Sequence, residues 1–267
     1  MVNLLAAAAL AAASPFGAAA APPADQPAMF VVRDADTTVY IFGTFHALDG
    51  RSQWFGNQVR DAFEQSNELV LETLVPEQPT AGAYATQIRV PSVTVTTSAS
   101  FLATTRLAIN AGRAQGMQVG NGADMVLRHI AEAEGKPVEG LETLQLQIDM
   151  FNHIPTAASP TARPRTGQPV EIRPLEDLSR AMGEMQTAWK RGDQTVFVRM
   201  LAQLRQASPD TYRMMFTERN ERWADWIRAR MQQPGTVFVA VGAGHLAGPD
   251  SLLVQLAERG IPSQRVH

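Results

Sequence analysis

Two short apolar runs stand out against the polar–apolar pattern of the chain. They are Val39-Tyr-Ile-Phe-Gly-Thr-Phe-His46 and Val237-Phe-Val-Ala-Val-Gly-Ala-Gly-His245. Each breaks at a glycine, Gly43 or Gly242, and reaches a histidine three positions later. Runs this rich in β-branched and aromatic residues read as strands covered on both faces. A glycine at the strand end tolerates unusual backbone angles and lets a ligand approach the main chain. Ligands of open α/β sheets bind just past the carboxyl ends of strands, and both His46 and His245 fall at that kind of position.

The pattern between these runs predicts the remaining elements. Residues 29–33 and 37–42 form a hairpin around the turn Asp34-Ala-Asp36. Residues 52–66 place Phe55, Val59, Ala62 and Phe63 on one helical face. Residues 68–72 return as a strand ending in Glu72. This is a βαβ unit, and it puts His46 and Glu72 at the carboxyl ends of neighbouring parallel strands. Residues 76–95 are loop-like, and 91–100 hold a run suited to an edge strand. Helices are expected over 101–115 and over 125–134, the latter with Asp124 as its N-cap. Residues 136–142 form a strand ending in Glu142, followed by a helix over 143–151. Residues 152–174 are a proline-rich irregular connector. Residues 175–207 are mainly helical with a break at Gly192-Asp193. A further helix starts at Ser208-Pro209 and runs to Met231. Its Met and Trp residues suit core packing, and on pattern alone Arg219 and Asn220 suit a solvated face. A strand over 236–241, a helix over 251–259 and a closing strand over 261–266 complete the chain. The fold class is α/β, with a mixed, mostly parallel sheet flanked by helices.

Composition removes several function classes. The net charge is −3 and the pI about 6.0, with no extended basic run, so nucleic acid is not an expected partner. Zero cysteines exclude disulfides, thiolate nucleophiles and Cys-type zinc sites. The stretch Leu4 to Ala13 is apolar and is followed by Ala18-Ala-Ala20, a small-residue cleavage pattern. Residues 1–20 thus read as a secretory signal, although a positive start is missing. Residues 21–28 are a flexible lead-in, and 29–267 form a single domain. The apolar run is too short and alanine-rich for a good transmembrane helix, so no stable membrane insertion is expected after cleavage. The expected location is the periplasm or outside the cell.

Five histidines occur in 267 residues, and two of them share the same strand–Gly-x-x-His setting. Two imidazoles with one or two carboxylates at a sheet edge suit a divalent metal such as Mn, Co or Zn. Such a metal acidifies water and polarises a carbonyl. The same residues can also work without metal, with one histidine as base oriented by a glutamate. His-Glu-x-x-His, Gly-x-Ser-x-Gly, P-loop and dinucleotide fingerprints are all missing from the sequence.

These pieces, in order and spacing, resemble the TraB/GumN family, which is related to the Tiki metalloproteases and distantly to erythromycin esterase and the ChaN haem-iron-binding proteins. The two Gly-x-x-His motifs carry most of the resemblance. Leu69-Val-Leu-Glu72, Gly122-Ala-Asp124, Gly140-Leu-Glu-Thr143, Ala188-Trp-Lys-Arg-Gly-Asp193, Arg219-Asn220 with Trp223, and Phe238 to Gly248 add to it. The segment 76–100 does not match the pattern. The resemblance implies an α/β fold with a site between two related halves. It also implies metal-dependent hydrolysis of peptide or amide bonds. His46, Glu72 and His245 match motif positions, as metal ligands or direct catalytic groups. Glu142 and Arg219 match supporting positions. The expected function is an exported, protease-like metal-dependent hydrolase acting on a peptide or small-molecule substrate. The alternatives are a non-catalytic binder of haem, metal or another ligand, and a metal-free esterase-like hydrolase with His46 as base.

Overall fold

The computed structural model describes residues 25–74, 110–152 and 174–266. The expected signal, the 76–95 loop, the 91–100 edge strand and nearly all of the 152–174 connector lie outside the described residues.

Strand β1 (Met29–Arg33) pairs antiparallel with β2 (Thr37–Thr44). The Asp34 carboxylate closes their turn by accepting from the backbone N–H groups of Asp36 and Thr37, at 3.1 and 2.8 Å. Helix α1 (Asn57–Gln65) is shorter than its apolar periodicity suggests, because Gly56 caps it. Trp54 instead enters the core, stacked on Phe42 at 5.5 Å. Strand β3 (Glu68–Thr73), helix α2 (Ala123–Ala133), strand β4 (Val138–Glu142) and helix α3 (Leu144–Asn152) follow. Gly122, not Asp124, caps α2, so Asp124 lies inside its first turn.

Helices α4 (Pro174–Lys190) and α5 (Thr195–Ala207) break where expected, at Gly192. Their successor is not uniform. A four-residue α6 (Pro209–Tyr212) passes through a π-helical turn, Arg213–Thr217, into α7 (Glu218–Arg230). Strand β5 (Gly235–Gly242), helix α8 (Leu252–Glu258) and β6 (Gln264–Arg265) end the described chain. The Ser251 hydroxyl caps α8 by accepting from the Val254 N–H at 3.4 Å.

The sheet order is β4-β3-β5-β2-β1-β6. The first four strands are parallel; β1 pairs antiparallel with β2, and β6 antiparallel with β1, so only β1 is reversed. The mixed, mostly parallel α/β sheet is therefore present. One detail differs: β2 and β3 are not neighbours, because β5 inserts between them. The reason is chemical. Val237 to Val241 is apolar and buried at every position, which suits β5 to a central place covered on both faces.

Alternation assigns the two faces. Phe42, Leu69, Leu71, Phe238 and Ala240 pack under α1, α2, α4 and α5. Val39, Ile41, Val70, Val237, Val239 and Val241 pack under α7 and α8. Trp189 of α4 ties the first layer to the site edge. Its buried indole Nε1 donates to the Gly43 carbonyl at 2.7 Å. Replacing Trp189 by Phe keeps most of the ring but leaves that carbonyl unpaired. We expect Trp189→Phe to lower the unfolding free energy by about 1–3 kcal/mol in urea titrations; an unchanged midpoint would show that the bond contributes nothing.

Candidate active site

The carboxyl ends of the four parallel strands meet along one edge. Thr44 stands opposite Gly242, and Thr73 opposite Glu142. Glu72 is therefore one residue short of the end of β3, and Glu142 is the last residue of β4. His46 follows β2 by two residues, and His245 lies in a 3-10 turn, Ala243–Leu246, directly after β5. Arg219 reaches the same edge from the first turn of α7. The structure brings all five sequence-predicted residues together, from positions up to two hundred residues apart.

Arg219 is the centre of the cluster and is only 3% exposed. Its Nε donates to Glu142 at 2.9 Å, and its Nη2 to Glu72 Oε2 at 2.8 Å. Its Nη1 points at His245 Nε2 at 3.2 Å. Arg222 adds a second bond to Glu142 at 3.1 Å. The solvated face expected of Arg219 and Asn220 from pattern alone is thus overturned. Both are buried, because their partners sit on the sheet edge beneath them.

His245 lies between the rings of Phe216 and Trp223, at 4.9 and 4.4 Å. Its Nδ1 is 2.7 Å from Asn220 Oδ1, while Asn220 Nδ2 donates to the Asp250 carbonyl at 2.7 Å. That amide orientation leaves Oδ1 as acceptor, so Nδ1 carries the proton and Nε2 accepts from Arg219. Burial pushes the His245 pKa down to about 3, with the Arg219 charge acting in the same direction. His245 is therefore neutral at ordinary pH. Burial alone would raise Glu72, but its charged neighbours overturn this and hold it at about 2. Because His245 is neutral, the permanent cation among them is Arg219. Glu72 is anchored further by Oε1, which accepts from the Gly242 N–H at 2.6 Å.

His46 differs from the rest. Its side chain is 59% exposed, opening on a cavity of about 580 Å³. Its backbone is fixed by Gly122: a Cβ there would lie 2.7 Å from the His46 carbonyl carbon and nearer still to its oxygen. This close approach places Asp124 Oδ1 3.4 Å from His46 Nδ1. That oxygen has no hydrogen-bond partner among the described residues, so the pairing is one of charge. Enclosure by the fold lowers the His46 pKa, but Asp124 and then Glu72 raise it more, to about 9. Solvent reaches the ring from the cavity and screens part of this pull; the upward direction is set by the adjacent Asp124.

His46 Nε2 and Glu72 Oε1 converge. Each lies 3.1 Å from the point where a Cβ on Gly242 would stand, and His245 Cδ2 lies 3.8 Å from it. Two donors thus face one spot, but a third is missing. Both nitrogens of His245 are engaged, and the Arg219 guanidinium occupies the side of His245 and Glu72 where a cation would sit. Among the described residues no three His, Cys, Asp or Glu groups are disposed to hold a metal ion. As arranged, His46, Glu72 and His245 do not fit a shared divalent metal, and Glu142 is taken by two arginines.

Three further residues at this edge are not marked as site residues by the sequence pattern. Asp124 reads as a helix cap, and only its place in Gly122-Ala-Asp124 hints at more. Asn220 carries a usable signal: Arg219 and Asn220 stand four and three residues before Trp223, hence on the face that Trp223 buries. Thr44, beside Gly43, carries none.

Removing the Arg219 charge takes the guanidinium from Glu72 and leaves the buried Glu142 with Arg222 alone. We expect Arg219→Met to cost about 3–5 kcal/mol of stability in denaturant titration, with much of the loss recovered when Glu142→Gln is added; a loss under about 0.5 kcal/mol would mean that the network is not a stabilising one.

No curated protein and no solved structure is matched by the chain. A family model described as the TraB/PrgY/gumN family matches residues 28–99 and 81–265. The match includes 81–99, part of the stretch that lacks the family pattern by motif. It spans the whole of the described sheet, and with it every residue of the cluster around Arg219. The chain belongs to the TraB/PrgY/gumN family.

Proposed function

We propose that this protein is a hydrolase of ester or amide bonds that uses His46 as its general base and needs no metal. The observation that carries this reading is the Arg219 guanidinium. It holds Glu72, Glu142 and His245 Nε2 at once, and so stands in for a cation among the very groups that would ligate one. His46 is left as the exposed base, facing the cavity with a carboxylate on either side.

In the proposed step, water adds to the carbonyl carbon as its proton passes to His46 Nε2. Asp124 at Nδ1 and Glu72 near Nε2 favour the imidazolium that forms. Thr44, at the floor of the cavity, offers a hydroxyl to the developing oxyanion. The bond to the leaving oxygen or nitrogen then breaks, and the His46 proton goes to that atom. The products are a carboxylic acid and an alcohol or amine. His245 and Asn220 hold Arg219 in place. The 1–20 segment supports a location in the periplasm or outside the cell. No described helix is long and apolar enough to cross a membrane.

The first test is turnover of a panel of esters and peptide amides with and without EDTA. We expect turnover to survive the chelator, and His46→Gln to lower kcat by about 10²–10⁴-fold. Turnover that is lost to EDTA and restored by Mn, Co or Zn would overturn the metal-free route.

The second test is the pH profile. A base must be unprotonated to act, and the His46 pKa is raised. Activity should therefore climb as pH rises, levelling above about 9. Asp124→Asn removes a main upward influence, so the rising limb should move down toward the ordinary imidazole value of about 6.5. A limb that stays in place in this variant would rule out His46 as the titrating base.

A further inference from the structure

The walls of the cavity differ from its floor. Met125 of α2, Met182 and Met185 of α4, Met200 of α5 and Met215 of the π-helical turn all line it. These are five of the eleven methionines in the chain. None of the five is fully buried. Phe45 and Phe216 continue the same apolar surface down to the histidines. Methionine is unbranched and polarisable, and it adapts its shape to flexible apolar partners. Five such side chains from four separate elements, left part-exposed around one cavity, form a surface suited to an apolar ligand.

The floor shows where the polar end of that ligand belongs. Thr44 is 2% exposed and lines the cavity, yet its Oγ1 has no hydrogen-bond partner among the described residues. A buried hydroxyl is normally paired, so an unpaired one beside His46 points to a ligand oxygen. The cavity, at about 580 Å³, lies within the range of small-molecule sites.

We infer that the substrate is a carboxylic ester of a linear acyl chain, with its carbonyl at Thr44 and His46 and its chain along the methionines. This rests on the reading of His46 as a hydrolytic base. The choice of an acyl chain over a peptide follows from the wall. Each peptide unit carries an N–H and a C=O that need partners; the thioethers and aromatic rings offer almost none, and the wall's polar side chains are Arg128, already bonded to Glu132, and Gln147. A run of methylenes needs none. The ester C–O bond is cleaved by water, giving the fatty acid and an alcohol.

The experiment is a series of p-nitrophenyl esters, from acetate to dodecanoate, run beside peptide p-nitroanilides of matched hydrophobicity. For each methylene that reaches the wall, kcat/KM should rise about fourfold, the factor that corresponds to about 0.8 kcal/mol. The double variant Met185→Gln and Met200→Gln should flatten this slope. The wild-type series decides the matter even if that variant does not fold. Hydrolysis with no dependence on chain length overturns the acyl wall and leaves the hydrolase reading standing. Turnover of anilides with no turnover of esters overturns the ester assignment. If nothing is hydrolysed, the thermal midpoint of the wild type with decanoate is read. A rise that is absent in the double variant supports the acyl wall while the hydrolase reading fails. No rise overturns both.

Discussion

Two carboxylates buried side by side at the edge of a sheet cannot both stay ionised without a cation between them. Glu72 and Glu142 come together because parallel strands β3 and β4 end together. Arg219 supplies the missing charge from a helix on the other side of the edge. The rest of the site depends on that one guanidinium. It keeps Glu72 ionised and fixes the proton of His245 on Nδ1, while His46 keeps its open side toward the cavity. A planar group with its donors in a fixed fork can meet two carboxylates and an imidazole at once, which a lysine ammonium could not do with the same geometry.

Around this pairing the layers have separate tasks. The face under α1, α2, α4 and α5 is large and aromatic, and it holds the His46 loop through Trp189 at Gly43 and through Gly122 beneath the His46 carbonyl. The face under α7 and α8 is aliphatic and positions Arg219, Asn220 and Trp223 against the strand ends. Because the two faces are packed independently, the exposed histidine and the buried one are held by different parts of the core. That separation lets two imidazoles a few ångströms from one carboxylate shift in opposite directions, one up and one down.

Much of this arrangement is legible in the amino-acid sequence. The Gly-x-x-His repeats place both histidines at strand ends, and the apolar runs identify β2, β3 and β5 with little ambiguity. Pattern places Glu142 at a strand end, and resemblance gives it a supporting role; Arg219 comes from resemblance alone, since periodicity assigns it to solvent. The order of strands is not legible, because a βαβ reading fixes direction but not what inserts between the two strands. Asp124 reads as a cap because acids favour the start of helices; its true neighbour, His46, lies 78 positions earlier (124 minus 46) and meets it only through the missing side chain of Gly122. Metal ligation is the natural reading of two histidines and a glutamate. What the sequence does not say is that an arginine from another element engages one of the histidines and the glutamate.

The π-helical turn at Arg213–Thr217 gives the helical rod a vulnerable register. A π turn holds one residue more than the α-turn it replaces, so the helix before it and the helix after it are out of phase by about 100° relative to an uninterrupted α-helix. The extra residue sets the phase between Tyr212, whose hydroxyl donates to Asp250 at 2.9 Å, and Arg219 at the glutamates. Loss of a single residue anywhere in the turn would let the rod relax into a regular helix with every backbone bond intact. Its two halves could then no longer both keep their partners: in keeping Tyr212 on Asp250, the rod would swing Arg219 away from the glutamates. The constraint on this turn is therefore one of length.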